Sequence, residues 1–196
     1  MCTHLNGVVG DDSVHIALFF DSEYAMLAAV ILRSVAKTVQ GPVTLYVLDG
    51  GIRPDNKQKI KESLPTRVGM TLRYMDLPPI QDYLAIHLGM PWARIDLMKC
   101  LPVERVIYLD ADTLVRKDLR ELWNTDLKGH PIAAMLDVWA PMGHDHVPRG
   151  PYFNSGVLLL VLVKVRTTLP KLEALCYEMR DAPCWDQDPP QCLLCR

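Results

Sequence analysis

Asp110 and Asp112 flank a single alanine directly after the apolar run Arg105-Val-Ile-Tyr-Leu109. If the backbone stays extended there, side chains two residues apart fall on one side, and both carboxylates can face one hard cation. A cation held by so few protein oxygens keeps coordination positions for phosphate, which suits chemistry in which a diphosphate departs. Three further acids, Asp21, Asp49 and Asp137, also close apolar runs. An aspartate in that position can equally lead a turn or cap the next helix. For Asp49, followed by Gly50-Gly51, the turn role is the better fit. For Asp137 a cap and a ligand contact both stay open.

The elements that position these acids follow from the pattern of apolar runs. His15-Ile-Ala-Leu-Phe-Phe20 and Val43-Thr-Leu-Tyr-Val-Leu48 are nearly free of polar residues, as strands buried on both faces of a parallel sheet are. Residues 68–75, 105–109, 132–136 and 152–163 read as further strands, the last broken near Asn154-Ser155-Gly156. Between them, helices are expected over 24–39, stopped by Gly41-Pro42, from Pro54 to Pro65, over 91–98 with proline in the first turn, and over 169–179. This strand–helix alternation predicts an α/β domain with a mostly parallel central sheet flanked by helices. In such sheets ligands bind beyond the carboxyl ends of the strands, where these aspartates lie.

A chain of 196 residues suffices for one domain, and its 49% hydrophobic and 22% charged content is ordinary for a globular protein. The formal charge of −2 carries no basic footprint for nucleic acid. The six cysteines are unevenly spread and do not read as a disulfide framework, and Cys192-Leu-Leu-Cys195 lacks a second pair to complete a zinc site. The apolar run 156–163 is too short to span a bilayer, and the first residues resemble no secretory leader. A cytoplasmic location is therefore the default expectation.

Several segments carry a resemblance. Tyr108-Leu-Asp-Ala-Asp-Thr-Leu-Val115 with Asp118-Leu-Arg-Glu-Leu-Trp123 resembles the metal motif, and following turn, of retaining glycosyltransferases of family 8. Ile132-Ala-Ala-Met-Leu-Asp137 resembles the family's next strand, Tyr152-Phe-Asn-Ser-Gly-Val-Leu-Leu-Leu160 its second motif, and Trp185-Asp-Gln-Asp188 its third. Phe20-Asp-Ser-Glu-Tyr-Ala25 resembles the nucleotide-binding first loop, and Trp92-Ala-Arg-Ile95 a helix with a donor-contacting arginine. The resemblance runs from about residue 15 to 188 and is most specific from 104 to 162. It implies a GT-A nucleotide-diphospho-sugar transferase domain over 15–188, with 1–14 an N-terminal tail and 189–196 an atypical Pro- and Cys-rich tail. The likeness is greatest to bacterial lipopolysaccharide galactosyltransferases, with glycogenin more distant.

The resemblance also implies roles. Asp110 and Asp112, with Ala111 between them, would bind Mn²⁺ (or Mg²⁺) against the diphosphate of a UDP-sugar. Tyr24 would stack on uracil, Asp21 would accept a hydrogen bond from the base or its loop, and Arg94 would meet donor hydroxyl or phosphate oxygens. Asn154, Ser155 and Asp137 would line the donor sugar. Asp186 would hold its hydroxyls, with Gln187 beside the anomeric carbon. An amide is a poor nucleophile and no second carboxylate is evident, so the two-carboxylate scheme of retaining glycosidases is not the natural reading. Front-face transfer to a saccharide or glycoconjugate acceptor, the departing UDP oxygen taking the acceptor's proton, fits better.

Asp110-Ala-Asp-Thr113 also matches, literally, the nucleophile motif of haloacid-dehalogenase-type phosphatases. That family carries it on its first strand, whereas here three strand–helix passes precede it, and Asp186 and Asp188 lack the expected later setting. Two departures from family 8 stand out. Glu23 occupies a position where the family usually has Asn, placing a carboxylate near the diphosphate. The chain ends at Arg196, before the family's His-x-x-Gly-x-x-Lys-Pro-Trp segment, which supplies a third metal ligand and a lysine. His144 and His146 are the alternative imidazoles. The expectation is thus a C-terminally incomplete family member, which either transfers hexose or binds UDP-sugar weakly without turnover.

Overall fold

The computed structural model describes residues 12–76, 92–140, 142–143, 150–179, 181 and 188–190. Six strands, β1 (Val14–Phe20), β2 (Val43–Asp49), β3 (Met70–Asp76), β4 (Arg105–Leu109), β5 (Ile132–Leu136) and β6 (Phe153–Val161), form one sheet in the order β3-β2-β1-β4-β6-β5. β1 to β4 run parallel, while β6 is antiparallel to both its neighbours. The expected α/β architecture with a mostly parallel sheet is therefore what the chain adopts.

Alternation along the central strands divides the core into two layers. Ile16, Leu18, Leu45, Val47, Ile107 and Leu109 pack with α1 (Ala25–Thr38) and with Ile60 of α2 (Pro54–Ser63). Ala17, Tyr46, Leu48, Val106 and Tyr108 face the other side, against α3 (Ala93–Cys100) and α5 (Leu162–Glu178). A short helix α4 (Arg120–Trp123) occupies the segment expected only to turn. α3 begins at Ala93 rather than Pro91, which lies outside the described residues.

Two boundaries differ from expectation in an informative way. The last helix starts at Leu162, directly after β6, and holds Pro170 inside it, so 162–168 are helical where strand and connection were expected. Those residues are apolar enough for either state, and the Leu162 amide is drawn to the Glu104 carbonyl at the start of β4 (2.7 Å). The break expected near Asn154-Ser155-Gly156 is a bulge, not an end. Pairing with β5 jumps from Ala134↔Leu158 to Met135↔Asn154, leaving Ser155, Gly156 and Val157 without a β5 partner in the register. Phe153 then faces the same core layer as Leu158 and Leu160, so the alternation slips by one residue across the bulge.

Because β6 is antiparallel, its first residues lie at the edge where β1, β2, β4 and β5 end. Asp21, Asp49, Asp110, Asp137 and the β6 bulge therefore share one rim of the sheet. Among the described residues, no helix is long and apolar enough to cross a membrane.

Candidate active site

Asp110 anchors this rim. Its amide donates to the Gly156 carbonyl (2.8 Å), and its own carbonyl accepts from the Thr113 amide (3.2 Å) and hydroxyl (2.8 Å). The chain thus turns at 110–113 rather than staying extended, so the strand alternation expected to set Asp112 on the same side as Asp110 does not apply here. Asp112 is exposed, and Ala111 is buried against the α1 layer, which leaves it a packing role between the two acids.

The Asp110 carboxylate is held from several directions. The Tyr108 hydroxyl donates to Oδ1 at 2.7 Å, because residues two apart on β4 share a face. Arg94 Nη2 lies 3.5 Å from the same oxygen, and its guanidinium sits over the Tyr108 ring at 5.5 Å. Arg94 Nη1 donates to the Ser155 carbonyl at 3.2 Å and to the Ser155 hydroxyl. Arg94 is 8% exposed and belongs to α3, so a nearly buried cation ties helix, motif strand and bulge together. Oδ2 lies against Gly156: a Cβ there would come within 3.0 Å of it. The Asp110 side chain is nevertheless 31% exposed, so the carboxylate is oriented from behind and open to ligands in front.

The structure brings Arg94, Asp110, Asn154, Ser155 and Asp137 into one network. Asn154 Oδ1 accepts from the Gly156 amide (2.9 Å), and its Nδ2 faces Asp137 Oδ2 (3.5 Å). Asp137 Oδ1 accepts from the Trp139 and Ala140 amides (2.8 and 3.1 Å), so this oxygen clasps a turn rather than capping a helix, while Oδ2 meets Asn154. Ser155 is not at the surface; it is buried and serves Arg94.

The first loop is assembled separately. Asp21 Oδ1 accepts from the Glu23 and Tyr24 amides (2.9 and 3.2 Å), which makes Asp21 a clasp for the turn that presents Tyr24. Tyr24 is 49% exposed, so it does not act as the first buried residue of α1. Glu23 is exposed. Ser22 bridges to the neighbouring loop, donating to the Gly51 carbonyl (3.2 Å) and accepting from the Arg53 amide (2.7 Å). Asp49 takes the turn role, accepting from Gly51 and Ile52 amides (2.9 and 2.6 Å) and pairing with Lys57. Burial pushes its carboxyl up, but Lys57 and those amides outweigh this and hold it below the usual range.

Asp186, Gln187, His144, His146 and the Cys192/Cys195 pair lie outside the described residues. Asp188 is described: it is fully buried and accepts a hydrogen bond from the Tyr152 hydroxyl, a tie between the third motif and the residue before β6. Three contributors went unassigned in the sequence reading: Tyr108, Gly156 and the Tyr152–Asp188 pair. Only the first left a usable signal there, its i, i+2 spacing to Asp110.

The donor set suits a hard divalent cation: an oriented, part-exposed carboxylate, an exposed second one, and no soft ligand at the turn. Among the described residues, no group of three His, Cys, Asp or Glu gathers as a complete metal cage.

Residues 15–189 match the family described as glycosyl transferase family 8, and the chain belongs to that family. Its sheet and flanking helices are those of a GT-A fold, superimposing on the galactosyltransferase LgtC, determined in complex with donor and acceptor sugar analogues, with a TM-score of 0.77. That likeness has 27% sequence identity and covers 92% of this chain and 70% of the other. General stress protein A of Bacillus subtilis (strain 168) is 29% identical over 165 residues, covering 76% of this chain and 56% of the relative. A putative glycosyltransferase of Haemophilus influenzae is 28% identical over 167 residues, covering 78% and 49%. The chain thus spans about half the length of the curated relatives it matches.

Proposed function

We propose that this chain carries the donor half of a retaining hexosyltransferase, which moves galactose or glucose from a UDP-sugar to a saccharide or glycoconjugate acceptor. The observation that supports this most is the junction of Arg94, Asp110 and the β6 bulge: a nearly buried cation and a part-exposed carboxylate at the carboxyl rim of a mostly parallel sheet. Asp110 and Asp112 would hold Mn²⁺ or Mg²⁺, which, when bound, supplies positive charge to the leaving diphosphate.

The chain's own residues do the rest. Asp21 shapes the first turn so that Tyr24 offers its ring to a uracil face. Arg94, fixed by Ser155, holds its fork of donors in place for phosphate or sugar oxygens without reorganising during reaction. Asn154 spends its oxygen on the Gly156 amide and faces Asp137 with its amide nitrogen, so the pair is oriented to bind sugar hydroxyls. Asp186 would fix the ring from the third motif and Gln187 would sit beside the anomeric carbon. The acceptor hydroxyl then attacks from the face the diphosphate leaves, giving its proton to the departing UDP oxygen.

The test is UDP release from UDP-galactose and UDP-glucose with Mn²⁺, using this 196-residue chain and its Asp110→Asn and Asp112→Asn variants. Metal-dependent release abolished by either variant supports the reading. Hydrolysis of a simple phosphomonoester with Mg²⁺ and no need for UDP would favour phosphatase chemistry instead. UDP binding without turnover would limit the chain to donor recognition.

A further inference from the structure

Asp110 is reached by two groups that compete for its charge. Tyr108 Oη sits 2.7 Å from Oδ1, an ordinary distance for a hydroxyl on a carboxylate. Arg94 Nη2 is 3.5 Å from that same oxygen, longer than the roughly 2.8 Å of a charge-assisted pair. Arg94 is kept at that distance by its other attachments: Nη1 is committed to Ser155, and the guanidinium plane rests on the Tyr108 ring. Gly156, on the side of Oδ2, carries no side chain; a Cβ there would stand 3.0 Å from that oxygen. Tyr108 is 3% exposed, so its hydroxyl is buried and its position set by core packing, not by solvent.

We propose that Tyr108 is a positioning residue for the metal site: its hydroxyl holds Asp110 off Arg94, so that the carboxylate's charge stays available to a divalent cation. The inference rests on Asp110 being a metal ligand, as proposed above. One side chain serves both partners, its ring carrying the guanidinium and its hydroxyl carrying the carboxylate. Without the hydroxyl, Oδ1 loses the short hydrogen bond that opposes its rotation toward the guanidinium. A carboxylate paired in that way has less to offer a cation.

The experiment measures Mn²⁺ affinity in the presence of UDP, by loss of the free-ion electron paramagnetic resonance signal, for the native chain, Tyr108→Phe and Asp110→Asn. Metal-free UDP affinity and thermal unfolding are followed alongside. Tyr108→Phe keeps the ring under Arg94 and removes one hydrogen bond to a charged group, so Mn²⁺ binding weakens about tenfold. Metal-free UDP affinity and the folded circular dichroism spectrum stay as in the native chain. Native-like Mn²⁺ affinity in Tyr108→Phe, with binding lost in Asp110→Asn, overturns this inference and leaves the metal site standing. Equal weakening of metal-dependent and metal-free binding, with a lowered unfolding midpoint, also overturns it, since that is what a purely structural role produces. If the native chain binds no more Mn²⁺ than Asp110→Asn, the metal reading of Asp110 itself falls.

Discussion

Gly156 lies so close to Asp110 that a Cβ on the glycine would stand 3.0 Å from the Asp110 Oδ2 atom, and as close to Asn154 Oδ1. The bulge in β6 thus uses the absence of a side chain to seat the Asp110 carboxylate and the Asn154 amide together. Gly156→Ala is expected to reduce metal-dependent UDP release at least about tenfold, as a sub-ångström displacement of a positioned group does. Its unfolding midpoint should shift by only a few degrees, since the strain falls on two side chains that can move. Steady-state kinetics alongside thermal unfolding check this. A native-like rate would show that the close approach has no part in the site.

Arg94→Lys tests the fork of donors rather than the charge. Lysine cannot reach the Ser155 carbonyl, the Ser155 hydroxyl and the Asp110 side at once, and it leaves buried acceptors unserved. A loss of about 2–3 kcal/mol in transition-state binding is expected, seen as kcat/KM for UDP release lower by about a hundredfold. Full activity in the lysine variant would mean that positive charge alone is enough there.

The pairing of α3 with α5 makes stability fall at high pH. Lys99 contacts Asp96 (3.1 Å) and Glu173, and Asp96 is fully buried. Burial pushes the lysine's pKa down, but the two acids outweigh it and raise it above its ordinary 10.5. A raised folded-state pKa means this contribution is complete below about 10.5 and fades as pH rises through the higher folded value. Lys99→Met should destabilise the domain by about 3 kcal/mol at neutral pH, because it strips a partner from a buried carboxylate. The variant should also lose the native chain's alkaline decline in denaturation midpoint. Parallel pH profiles for the two proteins would contradict the assignment.

Asp49 predicts the opposite limb. Its depressed pKa places its contribution above the ordinary 3.8, with loss as pH falls through the lower folded value. Asp49→Asn should therefore be less stable than the native chain at neutral pH, with the gap narrowing toward pH 3. Urea midpoints across that range measure it, and a constant gap would indicate that the loss is steric.

The apolar runs before Asp21, Asp49, Asp110 and Asp137 were sufficient to place every one of those acids at a strand end. The runs before Asp21, Asp49 and Asp110 are largely buried and stop where a charge must reach water. By contrast, β5 before Asp137 is exposed from Ala134 to Leu136, and its end was marked by the acid alone. The local turn chemistry of Asp49 before two glycines was equally legible, because an Asx turn is settled within three residues. Segment 162–168 was not legible: Leu162 and Val165 are apolar in either state, and it is packing on the far layer that makes them helical. The direction of β6 was likewise hidden, since side-chain alternation is the same whichever way a strand runs.

Residue types and order, then, determined the α/β class, the acidic rim and the resemblance that the family match bears out. They could not decide which of those residues meet. Arg94 and Ser155 are far apart in the chain and come into contact only because α3 covers the face of β4 that carries Tyr108, while β6 returns antiparallel beside it. The same return sets Gly156 against Asp110 and turns an apparent break in a strand into part of the site. Contacts of this kind depend on sheet order and on the one-residue slip at the bulge. Both are settled by how two core layers pack, a property of the whole chain rather than of any local stretch.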